Sequence, residues 1–218
     1  MLRRMSISIG HISVHSAASD KAERPWVLQT ERLALRKLDN GDFENLCTIL
    51  QDEKAMYAYE HAFSDAEVRQ WLRRQIDRYV RDGFGLWAVI LKETGVFVGQ
   101  CGLTLQEYGE TQVVEVGYLF ARSQWHRGYA TEAASACRDY AFETVCSDEA
   151  FSFVRSTNEA SKRVAERNGM TPRGTFVKHY CGIDMPHVAY SITRAEWENA
   201  LSAQKHGFGG DSVSLGRQ

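Results

Sequence analysis

The sequence predicts one mixed α/β domain of the α+β kind: a central sheet of about seven strands, flanked by about four helices. Three observations predict it. Apolar, β-branched or aromatic runs at 86–91 and 96–103 are separated by Lys92-Glu-Thr-Gly95, which is hairpin chemistry. Further runs at 113–120 and 151–155 stand on either side of an Ala-rich, Pro-free stretch from Gly128 to about Thr144. A strand, a crossover helix and a strand in that order favour a parallel pair. The sheet is therefore expected to be antiparallel in its N-terminal part, with one parallel pair in the middle.

Taken in order, 27–38 alternates Leu28, Leu33 and Leu35 with Thr30, Arg32 and Arg36 and reads as a strand. Residues 39–51 read as a short helix. Residues 64–82 read as a longer one, with Val68, Trp71, Leu72, Ile76, Tyr79 and Val80 at helical spacing behind a Ser64-Asp-Ala-Glu67 capping box. After the hairpin and the run at 113–120, the helix from Gly128 keeps Ala133, Ala134, Cys137, Tyr140 and Ala141 on one face, as close packing on a sheet requires. The strand at 151–155 leads to a helix at 158–168, with Asn158 near its N-cap and Gly169 just past its end. Strands at 174–181 and 187–193 close the sheet. The domain is expected to span residues 26–203, between a flexible leader (1–25) and a Gly- and Ser-rich flexible tail (204–218).

At 218 residues and 44% hydrophobic, the chain suits one domain with a real core. Lys and Arg total 26 against 28 Asp and Glu, for a net charge of −2, so there is no electrostatic footprint for nucleic acid. Cys47, Cys101, Cys137, Cys146 and Cys181 are odd in number, widely spaced and without a C-x-x-C pair. They suggest neither disulfides nor a metal site, and a reducing, cytoplasmic compartment is the simpler reading. No run approaches the roughly 20 apolar residues that span a bilayer, so no membrane partner is expected. The acid-free first nineteen residues, with Arg3 and Arg4, faintly resemble a transit peptide, but no amphipathic stretch follows.

The chemistry concentrates where a strand meets a helix, at Gln124-Trp-His-Arg-Gly-Tyr-Ala130 running into Thr131. Such a junction presents unpaired N–H groups and the positive end of a helix dipole, and both attract phosphate. Gly128 and Ala130 leave the main chain open to an anion. Neither a P-loop nor a dinucleotide-binding G-x-G-x-x-G is present. Alone, the loop reads equally as a helix start with small residues for packing. Glu115 begins the strand that ends at this loop, among Val114, Val116 and Tyr118. It is placed toward a site or, alternatively, faces solvent at a hairpin.

Three segments together narrow the reading: Glu115-Val-Gly-Tyr-Leu-Phe120, then Trp125-His-Arg-Gly-Tyr-Ala-Thr-Glu-Ala133, then Asn158-Glu-Ala-Ser161 leading to Arg167-Asn-Gly-Met170. Their order and spacing resemble the GNAT superfamily of N-acetyltransferases, in particular its RimJ/RimL, ribosomal-protein-acetylating type. The opening Gln29-Thr-Glu-Arg-Leu-Ala-Leu-Arg36 and the closing Val188-Ala-Tyr-Ser-Ile-Thr-Arg194-Ala-Glu-Trp197 look like the same branch, so the resemblance spans roughly residues 27–200.

The resemblance implies acetyl-CoA as co-substrate and no metal. The family's [QR]-x-x-G-x-[GA] signature wraps pyrophosphate with backbone amides. Here it implies His126, Arg127, Gly128, Tyr129, Ala130 and Thr131 as the cradle, with Trp125 at the Gln/Arg position. Arg127 either adds charge or is a solvated surface residue. The family also parts two central strands, and the pantetheine arm runs along the freed edge. That edge would be Tyr118, Leu119 and Phe120, with the Phe120 N–H as oxyanion donor. Glu115 is the implied base for the attacking amine, directly or through water. Many relatives carry a Tyr acid where this chain has Ala165, so Ser161 is left to assist the departing thiolate. Asn158 would hold pantetheine or act as a plain N-cap.

His61, His179 and His187 read as surface or substrate-pocket residues, Trp71, Trp87 and Trp125 as core anchors, and Tyr190 as core. The acceptor is expected to be a primary amine, of a protein N-terminus or a small molecule, and the protein a monomer or homodimer. A non-catalytic acyl-CoA-sensing module of the same fold is the alternative.

Overall fold

The computed structural model describes residues 25–180 and 182–207. All but the last residue of the expected leader, and the expected tail beyond residue 207, lie outside the described residues. Eight strands form one sheet: β1 (Trp26–Gln29), β2 (Leu33–Lys37), β3 (Leu86–Leu91), β4 (Phe97–Tyr108), β5 (Thr111–Phe120), β6 (Glu149–Arg155), β7 (Thr171–Tyr180) and β8 (Ile183–Thr193). Their spatial order is β1-β2-β3-β4-β5-β6-β8-β7. Every neighbouring pair is antiparallel except β5 and β6, the parallel pair the crossover predicts. Five α-helices accompany the sheet: α1 (Phe43–Leu50), α2 (Asp65–Arg81), α3 (Tyr129–Glu143), α4 (Glu159–Arg167) and α5 (Arg194–Gly207).

The helix starts follow local chemistry. At α2, the Ser64 side chain accepts from the Glu67 N–H while the Glu67 carboxylate accepts from the Ser64 N–H, so two otherwise orphaned donors are satisfied reciprocally. Ala133, Ala134, Cys137 and Ala141 of α3 are fully buried, and their small side chains let the helix lie close on β4 and β5. The core continues through Leu33, Leu35, Trp87, Val89 and Leu103.

The structure differs from expectation at two elements. The segment 27–38 is two strands, because Thr30 turns the chain: its N–H donates to the Leu33 carbonyl at 2.9 Å, and its hydroxyl oxygen accepts from the Leu33 N–H at 3.0 Å. This makes eight strands rather than about seven. The fifth helix was also not expected. Thr193 N–H donates to Glu196 Oε2 at 2.8 Å while the Glu196 N–H donates to Thr193 Oγ1 at 3.3 Å, a second reciprocal cap. Trp197 then anchors the helix, its ring stacked on Phe142 at 5.0 Å and its indole N–H donating to Asp139 at 2.8 Å.

The feature that positions the site is an interruption of the sheet. β5 and β6 pair only at Val114↔Ala150 and Glu115↔Phe151, although β5 runs on to Phe120 and β6 to Arg155. Beyond Glu115 side chains replace ladder bonds. The Ser152 hydroxyl donates to the Val116 carbonyl at 2.8 Å, and the Phe153 N–H donates to Glu115 Oε1 at 3.3 Å.

Candidate active site

The gap between β5 and β6 exposes main chain. β4 and β5 keep one register throughout, and Ala121 N–H donates to the Val98 carbonyl at 3.0 Å, which fixes the alternation of the ladder. Odd-numbered residues of β5 therefore point their N–H groups at β4. Those of Tyr118 and Phe120 point the other way, into the gap. The Phe120 carbonyl is held by the Trp125 indole N–H at 3.0 Å, which orients the end of the strand.

The loop that follows forms a concave row of donors. Gln124 and Trp125 N–H groups close a 3-10 turn over residues 122–124. The next six backbone N–H groups, His126 to Thr131, find no acceptor among the described residues, and the first to pair is Glu132, with the Gly128 carbonyl at 3.0 Å. His126 and Gly128 have φ of 61° and 80°, in the left-handed region; interspersed with ordinary conformations, this turns successive amides toward one point. Gly128 is needed for its φ, and a Cβ there would stand 3.4 Å from Arg32 Nη2.

Arg32, at the turn between β1 and β2, pins this loop from behind. Its guanidinium donates to the Arg127 carbonyl at 3.0 Å and pairs with Glu132 Oε2 at 2.7 and 2.6 Å. Glu132 Oε1 in turn accepts from Thr30 Oγ1 at 2.5 Å and from the Arg32 N–H at 2.9 Å. Partial burial would raise the Glu132 pKa, but these donors outweigh it and hold the carboxyl below its usual range.

Two cavities meet at the gap. One, of about 280 Å³, is lined by Phe120, Trp125, His126, Gly128 to Thr131, Arg163 and Arg167. The other, of about 480 Å³, is lined by Glu115, Trp71, Arg74, Arg78, Ser152 to Arg155, Lys178, His179 and His187. Tyr118, Leu119, Asn158 and Ser161 border both. Glu115 Oε2 accepts from Thr104 Oγ1 at 3.1 Å, so both oxygens of this carboxylate are oriented. Asn158 is the N-cap: its Oδ1 accepts from the Ser161 N–H at 3.0 Å, while its Nδ2 has no partner among the described residues. The Ser161 hydroxyl is likewise unpaired there. Tyr118 donates its phenol proton to the Ser161 carbonyl at 3.1 Å, tying β5 to α4 across the gap; burial raises its pKa above the usual phenol range. Burial lowers the pKa of His187, whose Nδ1 lies 2.8 Å from the Met185 carbonyl.

The structure thus brings together Leu119, Phe120, Trp125, His126, Gly128, Tyr129, Ala130, Thr131, Asn158 and Ser161 on one cavity, with Glu115 on the adjoining one. Arg127 stands apart: it does not line the cavity, its side chain is exposed, and its carbonyl faces Arg32. Ala165 is buried and borders neither cavity, so nothing at that position reaches the site. Tyr190 and Trp87 are core, as expected, whereas Trp71 and Trp125 are cavity walls. His61 pairs with Glu67 at 2.8 Å. Arg32, Arg74, Arg78 and the Tyr118 side chain were missed. Only Arg32 carried a signal, as part of the opening segment quoted above. No group of three or more potential metal ligands occurs among the described residues, and no helix there is long and apolar enough to cross a membrane.

The split sheet with its amide-lined helix start belongs to an acetyltransferase domain, an acyltransferase of the acetyl-CoA-dependent class, as comparison with known proteins shows. The model of the acetyltransferase (GNAT) domain matches residues 32–171, and the chain belongs to that family. It is 36% identical over 144 residues to the uncharacterized protein YkkB of Bacillus subtilis, covering 66% of this chain and 84% of that one. It is 31% identical to the FsC-acetyl coenzyme A-N(2)-transacetylase of Aspergillus fumigatus, covering 78% of this chain and 77% of that one. Among solved structures, the ribosomal L7/L12 alpha-N-protein acetyltransferase RimL, in complex with coenzyme A, superposes with a TM-score of 0.65 at 18% identity. That match covers 78% of this chain and 98% of RimL and shows the shared fold.

Proposed function

We propose that the protein is an N-acetyltransferase that moves the acetyl group of acetyl-CoA to a primary amine by direct attack, without an acyl-enzyme. The observation that carries this is the opening of β5 from β6 after Glu115, beside six unpaired amides at the start of α3. The residues fit the co-substrate. The amides from His126 to Thr131 suit a pyrophosphate. The free N–H of Tyr118 and the Asn158 Nδ2 suit an amide-bearing arm. Arg163 and Arg167, one turn apart on α4 and in no ion pair among the described residues, suit the remaining phosphate.

Each chemical demand then has a group. Glu115 takes a proton from the acceptor ammonium, directly or through one water, and frees the nitrogen lone pair. The nitrogen attacks the thioester carbon; a C–N bond forms, the C–S bond breaks, and the nitrogen's second proton passes through solvent to the departing thiolate, which leaves as the CoA thiol. The Phe120 N–H faces the negative charge that develops on the carbonyl oxygen. The Ser161 hydroxyl donates a hydrogen bond to the departing sulfur, whose modest basicity, with a thiol pKa near ~8.5, needs no stronger acid. A primary amine is supported by the fungal relative, an N(2)-transacetylase, and by RimL, an alpha-N-protein acetyltransferase.

The test is thiol release from acetyl-CoA with a panel of amines that includes peptides with free N-termini. The reading predicts amine-dependent release with one N-acetylated product per thiol. Retained CoA binding with release stimulated by no amine would instead leave a sensing module.

A further inference from the structure

The walls of the larger cavity are charged in one sense apart from Glu115. Arg74 and Arg78 of α2 face it, one helical turn apart, with Lys178 on β7. Arg155, on β6, is already paired with Glu60. Arg78 is half-buried, and its one hydrogen bond is to the neutral Gln75 Oε1, at 3.2 Å. Arg74 lies over the Trp71 ring at 5.4 Å. No carboxylate among the described residues forms an ion pair with Arg74, Arg78 or Lys178.

The structural return is small: one bond to a neutral amide for Arg78 and ring contacts for Arg74 and Lys178. Like charges four residues apart on a helix repel. Arg78 also loses hydration, and burial together with Arg74 and Arg81 lowers its pKa. Other partly buried arginines have direct partners: Arg36 pairs with Asp42 at 2.6 Å and Arg138 with Asp139 at 2.7 Å, while Arg194 donates to the Phe142 and Ser147 carbonyls at 2.7 and 3.0 Å. The cavity is therefore bipolar: a carboxylate oriented by Thr104 and the Phe153 N–H on one wall, and on another a guanidinium pair that touches no carboxylate among the described residues, Arg78 feeling Glu115 and Asp82 only through space. A ligand with a cation at one end and an anion at the other satisfies both. A polyamine presents a second cation to Arg74 and Arg78 and is repelled.

We infer that the acceptor is a primary amine carrying an anionic oxygen group, a carboxylate or a phosphate, and that Arg74 and Arg78 bind that group. The inference rests on the acetyl-transfer reading above. It directs the amine toward Glu115, while the planar guanidinium forks take the anion in bidentate fashion.

The test uses matched amines that differ only in the anion. Tyrosine against tyramine and 4-aminobutyrate against 4-aminobutyramide report on carboxylate; phosphoethanolamine against ethanolamine reports on phosphate. The full-length protein should show kcat/KM at least about tenfold higher for the charged member in one arm or the other, as a desolvated charge pair provides. The Arg74→Gln/Arg78→Gln double variant should bring that ratio close to one without changing KM for acetyl-CoA. Arg74 is exposed, so Arg74→Gln alone keeps the test open if the double variant folds poorly; it should reduce the ratio severalfold. Turnover with no charged-member preference in any pair, or a preference that survives both variants, overturns the inference and leaves acetyl transfer standing. No turnover of any amine by the wild-type protein removes both.

Discussion

Glu115 Oε1 replaces a ladder acceptor for the Phe153 N–H where β6 leaves β5, and the same carboxylate lines the larger cavity. Glu115→Gln keeps an oxygen for Phe153 and removes the base that the proposed reaction requires. Steady-state kinetics should show kcat lowered by about 10²- to 10⁴-fold, with CoA affinity by calorimetry nearly unchanged. Ser161→Ala should cost only about tenfold in kcat, since the thiolate is a competent leaving group near neutral pH. An equal loss from both variants would contradict this division of roles. Glu115, Asn158 and Ser161 were legible in the sequence because their spacing to Gly128 and Gly169 is local and ordered. Arg74, Arg78 and the Tyr118 phenol were not. They reach the cleft from α2 and across the gap to α4, and no short-range pattern encodes that meeting.

Among the elements, the start of α3 depends on a neighbour distant in sequence. Arg32 holds the Arg127 carbonyl away from the cavity, and Glu132 fixes Arg32. Arg32→Ala should weaken CoA binding by about tenfold or more in calorimetry, the order expected on losing charge-assisted hydrogen bonds, even though Arg32 does not line the cofactor cavity. The α5 helix is held by its Thr193–Glu196 cap and by Trp197 on Phe142. Trp197→Ala should cost about 3–5 kcal/mol in urea unfolding; a loss under about 1 kcal/mol would mean that α5 is not packed on α3 as described. The elements around Gly128 were legible because hairpin, cap and Ala-rich signals agreed there. The Thr30 turn lacked Gly, Pro and Asn, so 27–38 read as one strand. The reciprocal cap at Thr193 was present in the sequence, but it falls between a strand run and a Gly- and Ser-rich stretch that masked it.

For the whole molecule, several carboxylates bind protons less readily when folded. Burial would raise Asp42, but the two-pronged Arg36 contact at 2.6 and 2.7 Å and the Asp39 N–H at 3.0 Å outweigh it and lower its pKa. Glu132 is lowered by Thr30 and Arg32, and Glu196, through Arg173 and the Thr193 amide, is lowered to about 2. Depressed folded-state values mean that the unfolded chain takes up more protons as acid is added. The stabilisation is complete above the ordinary carboxylate range, near ~4, and is lost as pH falls through the folded values. Tm should ease slightly below about pH 6.5, where the unfolded chain takes up a proton that buried His187 resists, and drop steeply from about pH 5 toward pH 2; a flat profile would contradict these ion pairs. The central claim is that the split of the sheet beside Gly128 is the acetyl-CoA site, and Gly128→Glu tests it most directly. That change forces a side chain at a φ of 80° and sets a carboxylate among the amides from His126 to Thr131. Calorimetric titration with CoA should show affinity lowered by more than about 100-fold, with Tm lowered by only about 2–8 °C, the cost of one strained residue. Wild-type affinity in a folded Gly128→Glu protein would place the cofactor elsewhere and contradict the account.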